Sequence, residues 1–177
     1  MPCASRRDDD LMFGLLHSRF HRTWALRKGS DLEDRPRYTH TTTFATYPFP
    51  DGMTPDISAE VARRLPAAAG IEAAAQRLDE LRQGWLYPSD LVVSVPELVQ
   101  GFPSRLLGKN ETADYELARR TLTNLYNDEP EWLIEAHRAL DEAVAMAYGW
   151  PVDISEEDAL ARLFVLNQDR ATQNPSN

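Results

Sequence analysis

Residues 8–50 read DDDLMFGLLHSRFHRTWALRKGSDLEDRPRYTHTTTFATYPFP. Asp8, Asp9 and Asp10 can accept the free N–H groups of a first helical turn, and their charge suits the positive end of the helix dipole. Met12, Leu16, Phe20 and Trp24 follow at spacing four, flanked by Leu11, Phe13 and Leu15. This pattern predicts one amphipathic helix over 8–28 with a wide buried stripe. Arg27 and Lys28 suit its last turn, and Gly29 suits a left-handed position after it. Tyr38 to Tyr47 is dense in Thr and aromatics and predicts a strand, with Thr42, Phe44 and Thr46 on one face. Pro36 keeps Arg35 out of a helix, and Pro48 and Pro50 end the strand in an extended exit.

A length of 177 residues fits one domain, or a small domain with an appendage. The single Cys3 leaves no disulfide framework, which makes the cytoplasm the default location. No apolar run reaches membrane-spanning length, and the MPCASRRDDD start lacks the apolar core of a signal peptide.

The net charge of −9 argues against nucleic-acid binding by the whole surface. The charge is uneven. Residues 1–47 hold eight Arg/Lys against six Asp/Glu, whereas residues 48–177 hold eleven against twenty-two. Any phosphate contact is therefore expected from the N-terminal third.

Beyond residue 50, Asp51-Gly52 is a turn pair and Ser58 a helix cap, with Pro66 breaking the helix that follows. AAAGIEAAAQRLDELRQGWL predicts a helix with Ile71, Ala74, Leu78 and Leu81 on one face, ending near Gly84. Residues 86–109 read as irregular; LVVSV suits a short strand or a buried connector. Thr112 is expected to cap a helix through Leu125. Pro130 opens another, whose buried face is traced by Leu133, Ala136, Leu140 and Val144 and which Gly149 ends. Ser155 with Asp158 resembles a capping box before a last apolar helix around Leu163, and Gln168 onward reads as a polar tail.

His17 and His21 lie four apart, as in a metal-binding pair. Ser18 stands where a zinc hydrolase would carry Glu, and Cys3 and His40 are unconvincing further ligands, so no metal site is expected. Glu156, Glu157 and Asp158, like Asp79 and Glu80, have helix-cap or solvated-face explanations. Trp85, Trp132 and Trp150 are expected as core anchors. No nucleophile sits with its base, no glycine-rich loop cradles a phosphate, and no Asn-Pro-Pro-aromatic or Asp-Pro-Pro-aromatic tetrapeptide is present to grip a flipped base. No catalytic or cofactor-binding residue is therefore assigned. Arg35, Arg37, Tyr38, Thr41, Thr42 and Thr43 are the candidate DNA contacts, because Arg forks and Thr hydroxyls reach phosphates and base edges.

RDDDLMFGLLHSRFHRTWAL and LEDRPRYTHTTTFATYPFP resemble the end of the target-recognition region of MmeI-like DNA methyltransferases. RTLTNLYNDEPEWLIEAHRALDEAVAMAYGWP and the helix around LARLFVLN resemble that family's C-terminal helical region. The resemblance covers roughly residues 7–171, and His40 departs from it where Pro is more usual. It implies a mainly α fold with a small α/β N-terminal portion, a helix plus a Thr-rich strand followed by a C-terminal helical bundle. The expected parts are a disordered 1–7, the end of a recognition domain at 8–50, a helical domain at 51–171 and a disordered tail at 172–177.

The family comprises S-adenosylmethionine-dependent adenine-N6 enzymes of restriction–modification systems. Their donor-binding and base-gripping motifs match no position here, so the chain is expected to be inactive alone, without a cofactor of its own. The unmatched MPCASR start suggests a truncated or split gene, or a misplaced start, with a methyltransferase domain or subunit encoded upstream. DNA is then a partner through the parent enzyme, weakly or not at all alone, and the apolar faces of the first helix and strand would lie exposed. The alternative is a stand-alone acidic helical module that docks on a separately encoded methyltransferase subunit.

Overall fold

The computed structural model describes residues 9–32, 35–96 and 104–173. It is mainly helical with a small α/β portion, as expected, and its strands form two small antiparallel ribbons. The chain divides into two compact units, Met1–Ala75 with His137–Asn177, and Gln76–Ala136. The cuts fall elsewhere than the expected boundary after residue 50. The expected disordered segment 1–7 lies outside the described residues, as do residues 174–177 of the expected tail.

In the first unit, α1 (Asp10–His17) and α2 (Arg19–Lys28) replace the single predicted helix. Asp9 caps α1 by accepting from the Met12 N–H. Ser18 interrupts the run in an extended conformation, φ −68° and ψ 154°, ending α1 and capping α2 through the His21 N–H. Its Oγ also donates to the Leu15 carbonyl at 2.8 Å. A serine that bonds neighbouring backbone groups competes with the helix ladder, and here it divides the helix.

Gly29 is extended rather than left-handed, with φ −62°, and leads into β1 (Ser30–Leu32). β1 pairs antiparallel with β2 (Arg35–Arg37), Ser30 opposite Arg37 and Leu32 opposite Arg35.

The predicted Thr-rich strand is not a strand. His40–Phe44 winds into one π-helical turn, closed by the Ala45 N–H on the His40 carbonyl at 2.8 Å. Threonine hydroxyls bond the local backbone: Thr43 Oγ1 accepts from the Thr39 N–H at 3.4 Å and Thr46 Oγ1 donates to the Thr42 carbonyl at 2.7 Å. Strand propensity records packing on a pleated sheet, and among the described residues no partner strand is offered here.

The buried face of α1 and α2 is Leu11, Met12, Leu15, Phe20 and Trp24. The stripe is buried, as the periodicity predicts, and not exposed as expected of the chain alone; Ile71 and Ala75 of α4 (Ala68–Leu86) and Leu140 of α7 (Glu131–Ala147) lie against α1, and Phe164 of α8 (Glu156–Gln173) lies against Trp24. At Gly14, an added Cβ would lie 2.7 Å from Ile71 Cγ2 and 3.2 Å from Leu140 Cδ1, so α1 approaches both neighbours at its one residue without a side chain. Trp24 stands 5.1 Å from Phe164, ring to ring, and donates its indole N–H to Thr46 Oγ1 at 3.3 Å. The Asn167 side chain of α8 donates to the Thr46 carbonyl at 2.7 Å.

Asp51-Gly52 turns the chain, Gly52 taking φ +74°. Ser58 caps the short α3 (Ala59–Ala62) as predicted, and Pro66 separates it from α4. Gly149, at φ +69°, follows the end of α7. Ser155 Oγ accepts from the Asp158 N–H at 3.0 Å and starts α8. That helix runs through Thr172 to Gln173, so the predicted polar tail begins later than its composition suggests.

In the second unit, α4 passes Gly84 without ending. Residues 86–109 are not irregular throughout: β3 (Val92–Val95) pairs antiparallel with β4 (Arg105–Gly108), Val93 opposite Leu107 and Ser94 opposite Leu106. The predicted helix from Thr112 is two, α5 (Glu111–Arg119), capped by Asn110, and α6 (Leu122–Asp128), capped by Thr121. Arg120 sits at the break, donating to the Trp85 carbonyl at 2.7 Å with its guanidinium 5.3 Å above the Trp85 ring. Trp85 and Trp132 are half-buried, whereas Leu78, Ala113, Leu125 and Leu133 are buried.

Candidate nucleic-acid interface

The candidate residues occupy the segment that follows α2. Arg35 and Arg37 lie in β2, opposite Leu32 and Ser30; their side chains lie outside the described residues. Tyr38 leaves β2 and is 54% exposed. Its hydroxyl is 3.3 Å from His21 Nε2, while His21 Nδ1 faces the Leu16 carbonyl at 3.0 Å. A carbonyl accepts only, so Nδ1 carries the proton and neutral His21 accepts from Tyr38 at Nε2. Burial, foremost, lowers the His21 pKa, and His17 adds to the effect against the bond to Leu16. Tyr38, in turn, is tied to α2 at its hydroxyl while much of its ring stays open.

Thr41 and Thr42 are exposed on the π-helical turn, but Thr43 is fully buried. The three threonines therefore do not share a surface, and Thr43 serves the turn itself. His40, exposed, stacks on Phe44 with centroids 5.2 Å apart. His17 Nδ1 bonds the Phe13 carbonyl of its own helix at 2.9 Å and its ring stacks on Phe13, whereas His21 of α2 spends Nδ1 on the Leu16 carbonyl of α1, so each histidine of the four-spaced pair has Nδ1 engaged by backbone. Among the described residues, no group of three His, Cys, Asp or Glu is placed to hold a metal ion.

Beneath this surface lies an aromatic nest of Phe20, His21, Tyr47, Phe49, Tyr148 and Trp150. Asp141 of α7 reaches the start of α2, accepting from the Arg19 N–H at 2.7 Å. It satisfies a donor that the first turn leaves open and fixes where α2 points.

The outward side of α2 is a feature the residue-by-residue reading passed over. Arg22, Thr23, Leu26 and Arg27 line a shallow depression with Glu156 of α8. The signal was present in RFHRTWALRK, which has four cations and no carboxylate.

Among the described residues, no helix is long and apolar enough to cross a membrane. No family model matches the chain, and no curated protein sequence matches it. Its fold and sequence are related to part of a restriction–modification enzyme. The solved structure in question is that of the Type IIL restriction–modification enzyme MmeI in complex with DNA, with 25% identity and a TM-score of 0.60. The match covers 93% of this chain and 16% of that one, so the chain spans about a sixth of the solved polypeptide's length.

Proposed function

We propose that these residues are the C-terminal recognition and support portion of a restriction–modification DNA methyltransferase, acting on adenine N6 with S-adenosylmethionine, whose methyl-transfer chemistry lies outside them. The observation that carries this is the likeness to MmeI over 93% of the chain, in a structure that contains DNA. The exposed Tyr38, Thr41 and Thr42, with Arg35 and Arg37 just before them, are the side chains proposed to meet the duplex. Few cations opposed by an acidic remainder support only weak binding, no tighter than the ~10⁻⁴ to 10⁻⁶ M of nonspecific binders at physiological salt.

The test is complementation. A methyltransferase of this kind, cut before the matching segment, is mixed with the purified chain and assayed for adenine methylation on duplex DNA. Methylation is expected from the mixture and from neither part alone. Methylation by the chain with only donor and duplex overturns the proposal.

A second reading is favoured by one observation. In residues 76–136, Val93, Leu106, Leu107, Tyr115 and Ile134 are large, apolar and exposed. A stand-alone docking module would use such a surface. Recovery of a stoichiometric methyltransferase subunit with the chain from its native host supports that reading over the first.

A further inference from the structure

Among the described residues, several cations outside α2 meet carboxylates. Arg63 meets Glu72 at 2.6 Å, Arg138 meets Glu142 at 2.8 Å and Arg170 meets Asp51 at 2.6 Å. α2 differs, because its ten residues carry Arg19, Arg22, Arg27 and Lys28 and no acid. Two of these are committed inward. The Arg19 guanidinium lies 4.9 Å from the centre of the Phe20 ring, and Lys28 Nζ lies 5.3 and 4.9 Å from the Trp24 and Phe164 rings.

Arg22 and Arg27 remain on the outer side and are exposed. With Thr23 and Leu26 they form two i,i+4 pairs, Arg22 with Leu26 and Thr23 with Arg27, that line one depression. Arg22 and Arg27 are about 7.5 Å apart along the α2 axis, on the scale of two of the ~3.4 Å rises per nucleotide along a duplex axis. Glu156 at 3.5 Å is the anion Arg22 meets now, and both side chains are more than half exposed, so the pair is easily exchanged.

We propose that Arg22, Thr23 and Arg27 of α2 form a contact site for the phosphate backbone of duplex DNA, with Glu156 of α8 as the internal competitor and Leu26 facing the sugars. The site rests on the DNA-binding function proposed above and adds to it a second, sequence-independent contact away from the Tyr38 segment. Backbone contacts of this kind set register and orientation without reading bases.

The experiment measures affinity of the full chain for a duplex of arbitrary sequence, from low to physiological salt, for wild type, R22Q/R27Q, E156Q and R35Q/R37Q. R22Q/R27Q is expected to weaken binding at least fivefold at low salt and to flatten the dependence of log affinity on log salt by about 2, one for each lost phosphate contact. E156Q is expected to strengthen binding several-fold, and this gain cannot come from misfolding. If R35Q/R37Q weakens binding while R22Q/R27Q and E156Q match wild type, the site is overturned and the DNA-binding function stands. If wild type binds no duplex even at low salt, the α2 site is overturned, and the complementation assay decides the proposed function separately.

Discussion

The hydroxyls of Tyr47 and Tyr148 lie 2.8 Å apart, although 101 residues separate them in the chain. Tyr148 also lies 3.0 Å from the Pro48 carbonyl, so one phenol chain links the exit of the Thr-rich segment to the end of α7. Burial is the main cause that raises both phenols, which therefore stay protonated and able to donate. Replacing Tyr148 by Phe leaves the Pro48 carbonyl and the Tyr47 hydroxyl short of a partner. The expected loss is about 1–3 kcal/mol, read by denaturant unfolding. Because the two hydroxyls bond each other, the Y47F/Y148F double variant should lose less than the sum of the single losses.

Asp141 predicts an unusual dependence on pH. Burial, opposed by the Arg19 N–H and the charges of Arg19 and Arg22, raises its carboxyl from 3.8 to about 6. The folded state then holds the proton more tightly than the unfolded one. Stability is greatest below the unfolded value and falls as pH rises through the folded one, by on the order of 2–3 kcal/mol at ~1.4 kcal/mol per pH unit of displacement. D141N, which keeps an oxygen for the Arg19 N–H, should flatten the curve between pH 4 and 6.

His21 acts in the opposite direction. Its folded pKa lies below the ordinary 6.5, so stability is complete above that value and falls as pH drops through it and toward the folded pKa. Protonation puts a second N–H at Nε2, against the hydroxyl that Tyr38 donates. Unfolding measured from pH 7.5 to 5 in the D141N background, where the opposing contribution is gone, should show this loss. H21N in the same background should remove it.

Gly14 should resist enlargement. In an open helix Gly→Ala gains about 1 kcal/mol of propensity. Here the new methyl would meet Ile71, Ala75 and Leu140 at 2.7 to 3.2 Å. Overpacking of this kind costs about 1–3 kcal/mol, so G14A is expected to lower the melting temperature rather than raise it. A gain would mean that α1 and α4 move apart freely.

Helix termini set by side chains next to them in sequence were readable. Ser58, Ser155, Pro130 and Gly149 act through neighbours within a few residues, and each does what its chemistry predicts. The break at Ser18 was harder, because the apolar four-residue spacing continues straight across it. In the candidate interface, Tyr38, Thr41 and Thr42 were found as surface residues, but Thr43 was grouped with them by composition and turns out to be buried. Alternation cannot reveal that a segment has wound up, since threonine's hydroxyl serves a π-helical turn as readily as its branched carbon serves a strand.

By itself the sequence determined a mainly helical chain, the amphipathic character of its first thirty residues and the placing of cations near its N-terminus, because periodicity and charge are properties of neighbours. Tertiary structure alone decided that α4, α7 and α8 cover the first helices, that Asp141 caps α2 and that Tyr148 meets Tyr47. Those outcomes depend on which distant surfaces come together, and burial then sets which hydroxyls, imidazoles and carboxyls keep their protons.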